Sequence, residues 1–155
     1  MPTKAPPILI SLKPNYADLV FDGLKTAELR RRFAQHIQNR DVFVYVSSPV
    51  MELRGGFRVG QVWSGSPEEI WSMVSSLAGV SREVFDDYYQ GLETAFALEI
   101  VDVWEFENPK SLSDLRKQFP GFAVPQSYRY LKSNECRSFR NMKIYCPKHL
   151  EEKVG

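Results

Sequence analysis

The chain has 155 residues, a length that suits one domain with a sizeable hydrophobic core. Its composition, 43% hydrophobic and 25% charged, is that of an ordinary globular protein and excludes a disordered or fibrous chain. The formal net charge of only +1 excludes a protein coated uniformly in positive charge, so a site for nucleic acid would have to be a local cluster of basic residues.

The first third of the chain is predicted to form a strand, a short helix and a second strand. Residues 7–12 (PILISL) are rich in strand-forming side chains, and Pro14 suits the first turn of a helix, where its missing N–H is not needed. Gly23 is placed to end that helix in a left-handed conformation. In residues 26–32 (TAELRRR) apolar and polar side chains first alternate, as they do in a strand with one buried face.

The middle of the chain is predicted to hold two strands followed by two helices. Residues 41–48 (DVFVYVSS) and 52–63 (ELRGGFRVGQVW) form the strands, and the pair Gly55-Gly56 predicts a bulge or bend that curves the sheet. The sequence Ser-Pro-Glu-Glu that begins at Ser66 is a capping box with proline at the first helical position. Ser81 is placed to cap the second helix.

The last third is predicted to contain a half-buried strand at 94–106, a short helix at 111–119, a turn-like segment at 125–131 and a final strand at 140–146. Five or six strands bent by glycines and mixed with short helices favour a small α+β domain built on a curved sheet or barrel. We expect one domain over residues 1–155.

Cysteine content and apolar runs bear on the compartment. Cys136 and Cys146 are too few for a disulfide framework, and no apolar run is long enough to span a bilayer. The apolar segment near the N-terminus resembles a first strand more than a signal peptide. We therefore expect a cytoplasmic protein with no membrane partner. Cys146 and His149 have C-x-x-H spacing but, even with His36, make a poor four-ligand zinc site, so we expect no metal and no cofactor.

Charged residues are ordered in an unusual way in GLKTAELRRR, residues 23–32. Glu28 and Arg30 share one face of the predicted strand, and a chain reversal near Gly23 can fold Lys25 back towards Glu28. Such a group can donate to phosphate or base oxygens, while its carboxylate holds the cations or accepts from an amino group. The alternative is a solvated edge strand whose charges prevent pairing with other chains.

The segment GLKTAELR fits the pattern G-x-K-x-x-E-x-R and resembles the signature of ASCH domains, members of the PUA-like superfamily of small β-barrels. Three later segments resemble further parts of this family in the same order: VFVYVSSPV, WEFENPKSLSDLRKQFPGF and VPQSYRYL. The resemblance implies a PUA-like barrel of five to six strands in a mixed sheet with short flanking helices. It also implies a cleft beside the first helix, lined by Lys25, Glu28 and Arg30, with Gly23 as the turn residue.

The end of the strand at 41–48 supplies further candidate ligand-binding residues, Tyr45, Ser47 and Ser48. The serine hydroxyls can bond a phosphate or a base edge, and the backbone there can form part of a pocket rim. The alternative, equally compatible with the residues, is a strand end with turn-forming serines before a proline.

The segment PQSYRY supplies three more candidates. Gln126 can contact a base edge through both ends of its amide, Ser127 can donate a hydrogen bond, and Tyr128 can stack on a base. Arg129 can neutralise a phosphate. The alternative is a strand in which the tyrosines belong to the core and Arg129 faces solvent.

We interpret the chain as an RNA- or nucleotide-binding ASCH-type domain whose partner is single-stranded RNA or a nucleoside or nucleotide. The resemblance is compatible with a regulatory role in RNA metabolism, transcription or translation. The near-neutral charge favours a small ligand or short single strand over a long duplex, whose affinity depends on many phosphate contacts. A protein-interaction module in a regulatory complex, with the cleft incidental, is a further alternative. The sequence does not indicate an oligomeric state.

The alternative from a different class is a hydrolase, because some proteins of this family resemble N4-acetylcytidine amidohydrolases and others resemble ribonucleases. In the amidohydrolase branch the signature lysine works with a threonine two residues before the arginine, and this chain has Glu28 there. That mechanism therefore does not transfer intact. A different one uses Lys25 and Glu28 as catalytic residues, with Glu28 as the general base to a water and Lys25 or Arg30 stabilising the developing oxyanion.

Overall fold

The computed structural model of this protein describes residues 6–32 and 37–145. The strands are β1 (Ile8–Leu12), β2 (Ala27–Arg30), β3 (Asp41–Val46), β4 (Glu52–Gly65), β5 (Ala95–Ser111) and β6 (Tyr128–Tyr130). The helices are α1 (Pro14–Phe21), α2 (Pro67–Val74), α3 (Arg82–Tyr88), α4 (Leu112–Gln118) and α5 (Ser133–Arg140). Among these helices, none is long and apolar enough to cross a membrane.

The strands form one mixed sheet in the order β2-β5-β4-β3-β1-β6, which curls into a half-barrel. Only the β1–β3 pair is parallel within the described residues, and the other neighbouring strands are antiparallel. The predicted small α+β fold with a mixed sheet of five to six strands and short flanking helices is confirmed. Because the sheet does not close, β2 and β6 are its two edge strands.

Both faces of the sheet are covered by short helices. One face packs against α1 through side chains such as Ile10, Val44 and Phe57. The opposite face packs on α4 and α5 at one end and on α2 and α3 at the other. Strand β2 belongs to the last of these packing regions, since Ala27 and Leu29 contact the side chains of α2 and α3.

Helix α1 begins and ends as predicted. Pro14 occupies its first turn, and Gly23 follows its end with a φ of 79°. The Gly23 N–H donates to the Val20 carbonyl and the Leu24 N–H donates to the Leu19 carbonyl, the pair of bonds that defines a Schellman ending. The chain therefore reverses sharply at this glycine and enters β2.

The capping predictions for α2 and α3 are also confirmed. The Ser66 hydroxyl accepts from the Glu69 N–H, while the Glu69 carboxylate accepts from the Ser66 N–H. The Ser81 hydroxyl accepts from the Val84 N–H at the start of α3. These side chains satisfy N–H groups that have no partner inside the helix.

The predicted bend at Gly55-Gly56 is present as a series of shifts in strand register. The β4–β5 register shifts between Leu53 and Gly55 and again between Gly56 and Arg58. A Cβ atom on Gly55 would overlap the carbonyl oxygen of Trp104 on β5. The close approach of these two backbones therefore requires glycine, and it helps the long strands to curve.

The prediction of a final strand at 140–146 is wrong over its described part. Residues 133–140 form the unpredicted α5, and after it only Ile144 forms an isolated bridge, to Phe106. The helix is anchored by Glu135, whose carboxylate accepts from the Lys132 N–H and pairs with Arg129. The segment predicted to be turn-like instead contains β6, a three-residue strand antiparallel to β1.

The glycine at the bend gives a test of the fold. Gly55→Ala places a methyl group against backbone atoms that cannot move independently, so we expect it to lower the free energy of unfolding by about 3 kcal/mol. Gly65→Ala on the same strand is the matched control, because its Cβ would lie 3.4 Å from a Glu69 carboxylate oxygen, an ordinary contact. We expect this control to change the free energy by less than about 1 kcal/mol. Urea denaturation measures both free energies. Equal effects of the two substitutions would contradict the conclusion that the close approach of β4 to β5 requires glycine at position 55.

Candidate functional site

The charged residues of segment 23–32 are positioned by the reversal after α1 and by the pairing of β2 with β5. The Lys25 N–H donates to the Leu19 carbonyl at 2.9 Å, which ties the start of the segment to α1. In the β2–β5 ladder Glu28 lies opposite Leu98 and Arg30 lies opposite Phe96. Glu28 and Arg30 therefore share one face of β2, as predicted.

Three charged side chains are buried together here. Lys25, Glu28 and Arg30 are only 3%, 6% and 7% exposed. The Lys25 Nζ lies 4.0 Å from Glu28 Oε2, and the Arg30 Nε lies 3.6 Å from Glu28 Oε1. The carboxylate therefore lies between two cations, an arrangement that offsets part of the cost of removing the charges from water.

Backbone carbonyls hold the two cations from opposite sides. Lys25 Nζ donates to the carbonyl of Ala78, in the segment between α2 and α3, and lies 5.7 Å from the centre of the Tyr16 ring. Arg30 Nη1 donates to the Ser127 carbonyl at 3.1 Å. This second bond links edge strand β2 to the residue preceding edge strand β6, so it bridges the seam of the half-barrel.

Two atoms of this group are in an electrostatically unfavourable environment, the amine nitrogen of Lys25 and Oε2 of Glu28. Burial lowers the pKa of the Lys25 amine; nearby Glu28 opposes this shift and Arg30 reinforces it. Glu28 Oε2 is buried and accepts no hydrogen bond within the described part of the chain. A buried acceptor without a hydrogen-bond donor is costly, so this oxygen is a natural acceptor for a ligand N–H.

A cleft of about 330 Å³ opens over these side chains. Tyr16 on α1 and Tyr88 on α3 contribute aromatic walls, and Val80 and Val84 add aliphatic surface. Apolar walls around a few convergent polar groups are typical of small-molecule sites, and this volume falls in the range of such sites. The cleft combines surfaces on which a planar ring can pack with groups that can bind its polar edge.

A second depression of about 630 Å³ adjoins the cleft, and the two share Arg30, Tyr88 and Gln126 as lining residues. Arg31, Arg32 and Ser127 are among the residues that line only the second depression.

Two adjacent tyrosines hold the end of β2 in place. The Tyr88 hydroxyl donates to the Leu29 carbonyl at 3.4 Å, and the Tyr89 hydroxyl lies 3.2 Å from the Arg30 carbonyl oxygen and 3.0 Å from that of Phe96. Burial raises the pKa of both tyrosines, so their hydroxyls keep the proton that they donate.

Comparison with known proteins covers the segment that carries these side chains. The family model described as "ASCH domain" matches residues 10–115, a range that includes β2 and the three buried charges. This chain belongs to the ASCH domain family. The matched range contains Lys25, Glu28 and Arg30, the charged group that lines the cleft.

Several relatives of this ASCH domain can be named. The chain is 29% identical over 127 residues to an "ASCH domain-containing ribonuclease" of Zymomonas mobilis, covering 82% of this chain and 85% of that protein. A crystal structure of ASCH from Zymomonas mobilis superposes with a TM-score of 0.82 at 27% identity, covering 88% of this chain and 96% of that one. The N-terminal domain of Staphylothermus marinus McrB has a TM-score of 0.55 at 10% identity and supports the fold alone.

The chain is also 30% identical over 125 residues to a protein of Ureaplasma parvum serovar 3 named "Large ribosomal subunit protein uL22". That match covers 81% of this chain and 39% of the relative, so the ASCH domain spans well under half of that protein's length.

Some of the predicted site residues line the cleft or the second depression, and others do not. Lys25, Glu28, Arg30 and Gln126 line the cleft, and Ser127 lines the adjoining depression. Gly23 is not a lining residue of either; its role is the turn that brings Lys25 back to β2.

The structure does not bring the other predicted residues to the cleft. Tyr45 is 2% exposed and packs in the core against α4 and α5, because its side chain points to the opposite face of the sheet from α1. Ser47 and Ser48 follow the end of β3, and neither lines the cleft or the second depression. Tyr128 packs partly against the core beside α1 and lines neither depression.

Arg129, considered as a phosphate ligand, is instead committed to the fold. Its two Nη groups each lie 2.9 Å from an oxygen of Glu135, which is 2% exposed. Its Nε donates to the Ala123 carbonyl at 2.8 Å. A bidentate pair with a buried carboxylate is a strong structural contact, so Arg129 anchors α5 to β6.

The residues considered as zinc ligands, His36, Cys146 and His149, lie outside the described ranges. Within residues 6–32 and 37–145, no group of three or more His, Cys, Asp or Glu side chains could hold a metal ion.

Sequence reasoning missed the walls of the cleft, Tyr16, Val80, Val84 and Tyr88. They come from α1, the segment after α2, and α3, and no spacing pattern joins them to the signature. The sequence signal that could have found them was the second of the two closely spaced predicted helices, because Val84 and Tyr88 lie on it and Val80 lies just before it.

The lowered pKa of Lys25 predicts a pH effect on stability. Between the folded pKa and the ordinary value of 10.5, the unfolded chain binds more protons at Lys25 than the folded protein does. The contribution of Lys25 to the free energy of unfolding therefore rises with pH across that window. We expect Lys25→Met to lack this rise and Lys117→Met, at an exposed lysine of α4, to keep it. Urea denaturation at a series of pH values measures the slopes, and equal slopes for the two variants would refute the prediction.

Proposed function

We propose that this protein binds single-stranded RNA and holds one nucleotide in the cleft above Lys25, Glu28 and Arg30. The observation that carries the proposal is that Glu28 lines a nucleoside-sized cleft while one of its carboxylate oxygens, the buried Oε2, accepts no hydrogen bond from residues 6–32 and 37–145. Cytosine, adenine and guanine each carry an exocyclic amino group that would supply the missing donor.

The walls of the cleft support a base as the occupant. Tyr16 and Tyr88 provide aromatic surfaces, and stacking on such surfaces contributes about 1–3 kcal/mol per base. Gln126 adds an amide that can both donate and accept at a base edge. These contacts require a base that is not paired in a duplex, which favours a single strand.

The charges support an anionic ligand. Two buried cations flank one buried carboxylate, so the group as a whole carries a net positive charge when all three are ionised. Lys25 and Arg30 would then contact carbonyl or phosphate oxygens, while Glu28 keeps both cations oriented. A chain of net charge +1 lacks the broad positive surface that a long duplex requires.

The relatives support RNA as the polymer. The Zymomonas mobilis relative that is named a ribonuclease is matched over 85% of its length, so the resemblance includes most of that protein. A regulatory role in RNA metabolism, transcription or translation would be one setting for such binding.

Glu28→Gln tests the proposal while keeping the shape of the side chain. Loss of a hydrogen bond to a charged acceptor should weaken binding of a short labelled single-stranded RNA by about tenfold or more. Glu107→Gln is the control, because Glu107 is exposed on β5, pairs with the exposed Lys143 and lines neither the cleft nor the second depression. Fluorescence anisotropy gives the affinities, and circular dichroism confirms that both variants are folded. Equal affinity of the two folded variants would exclude Glu28 as a ligand contact.

A second candidate function, RNA hydrolysis, is favoured by the lowered pKa of Lys25 beside Glu28. In this reaction Glu28 acts as the general base and takes the proton of a 2′-hydroxyl, whose oxygen attacks the adjacent phosphorus. The bond to the 5′-oxygen breaks and that oxygen takes up a proton, leaving a 2′,3′-cyclic phosphate and a 5′-hydroxyl. Arg30 would stabilise the charge on the phosphoryl oxygens. The same group could also act on an acylated nucleoside such as N4-acetylcytidine.

Product analysis separates the two candidates. If the protein is a hydrolase, incubation with end-labelled RNA yields shorter strands, or incubation with N4-acetylcytidine yields cytidine, and Lys25→Ala reduces the rate by about 100-fold or more. If the 2′-hydroxyl is the nucleophile, the same strand with 2′-deoxyribose in place of ribose should still bind but should not be cleaved. Recovery of intact RNA and intact N4-acetylcytidine would leave binding as the function. Cleavage that persists in Lys25→Ala would exclude the assigned chemistry.

A further inference from the structure

The second depression adjoins the cleft at the end of β2. Its volume of about 630 Å³ exceeds that of the cleft. Arg30, Tyr88 and Gln126 line both spaces, so a ligand that extends out of the cleft past these residues enters the second depression directly.

The second depression is strongly cationic. Arg30, Arg31 and Arg32 all line it, and Asp87 is the one carboxylate among its lining residues. Arg31 and Arg32 lie just beyond the ASCH signature, which ends at Arg30. Within the described parts of the chain, neither Arg31 nor Arg32 forms an ion pair with an acidic side chain.

Arg31 is held in place but keeps donors for a ligand. Its Nε donates to the Tyr88 carbonyl at 2.6 Å, and its guanidinium carbon lies 4.5 Å from the centre of the Tyr88 ring. Its terminal amino groups donate to no other group in the described residues. An arginine oriented by one contact, with its outer donors available, is suited to bind a phosphate through two parallel hydrogen bonds.

We infer that the site takes an RNA strand of at least two nucleotides and not a free nucleoside: the base lies in the cleft and the adjoining phosphate lies in the second depression against Arg31 and Arg32. This inference rests on the proposed RNA-binding function and narrows its substrate class. A nucleoside has no group that would occupy the cationic depression, whereas a strand places a phosphodiester next to every base.

The test compares competitors for the cleft. A labelled single-stranded RNA of about ten nucleotides that contains all four bases serves as the probe, and cytidine and the dinucleotide CpC compete for it. In the wild-type protein CpC should compete about tenfold better than cytidine, since only CpC carries a phosphodiester. In Arg31→Ala/Arg32→Ala this advantage should disappear. The slope of log affinity for the probe against log salt should also become shallower by about 0.7 for each phosphate that the variant no longer neutralises.

Two further variants keep the result interpretable. Arg137→Ala removes an exposed arginine of α5 that lines neither depression, and it should behave as the wild type does. Arg32→Ala alone removes an exposed side chain with no ion pair to a described residue, so it serves if the double variant fails to fold. It should lose part of the affinity for the probe and part of the salt slope.

The failures of the two proposals are distinguishable. Equal competition by cytidine and CpC in the wild type, or an unchanged advantage of CpC in the folded double variant, would overturn the strand inference and leave RNA binding through the cleft intact. Absence of probe binding by the wild-type protein would overturn the proposed function and this inference together.

Discussion

The burial of Lys25, Glu28 and Arg30 beside one another is the constraint on which the site depends. Each charge removed from water costs several kcal/mol, and neighbouring opposite charges recover only part of that cost. The fold supplies further compensation through the Ala78 and Ser127 carbonyls, which accept from the two cations. One carboxylate oxygen of Glu28 has no hydrogen-bond donor in the part of the chain that the structure describes, so the compensation is incomplete at a residue that lines the cleft.

This constraint explains why distant parts of the chain meet at β2. The segment between α2 and α3 must pass close to Lys25 to present the Ala78 carbonyl, and it thereby brings Val80, Val84 and Tyr88 to the cleft. The segment before β6 must likewise approach Arg30, which brings Gln126 to the other side. The segments that solvate the buried charges with backbone carbonyls thus also contribute most of the walls of the cleft, and α1 adds Tyr16.

Much of the fold could be predicted from sequence because its signals are local. Proline at the start of α1, glycine at its end, serine caps on α2 and α3, and the glycine pair in β4 each act over a few residues. Helix α5 was missed because it is held by a bidentate contact between Arg129 and Glu135 and by packing of Phe139. Its sequence, SNECRSFR, offers only two apolar side chains, Cys136 and Phe139, to mark a buried face. The charged base of the cleft was predictable since its members lie within one turn and one strand. Its walls were not, because they come from separate elements, and Tyr45 was misplaced because alternation along β3 does not show which face meets the cleft.

The seam between β2 and β6 has a consequence for how this scaffold can diversify. A closed barrel joins its last strands by backbone hydrogen bonds, which fix their spacing at about 4.8 Å whatever the side chains are. Here the bridge described between the two edges is the reach of Arg30 to the Ser127 carbonyl. The width of the opening is therefore set by side-chain length and not by strand pairing. Substitutions at positions 126–127, which lie outside the buried charge group and precede β6, can alter the size of the ligand that is admitted while every hydrogen-bonded ladder of the sheet stays in register. Arg30 itself is constrained, because its replacement would leave the buried Glu28 carboxylate without one of its two cations.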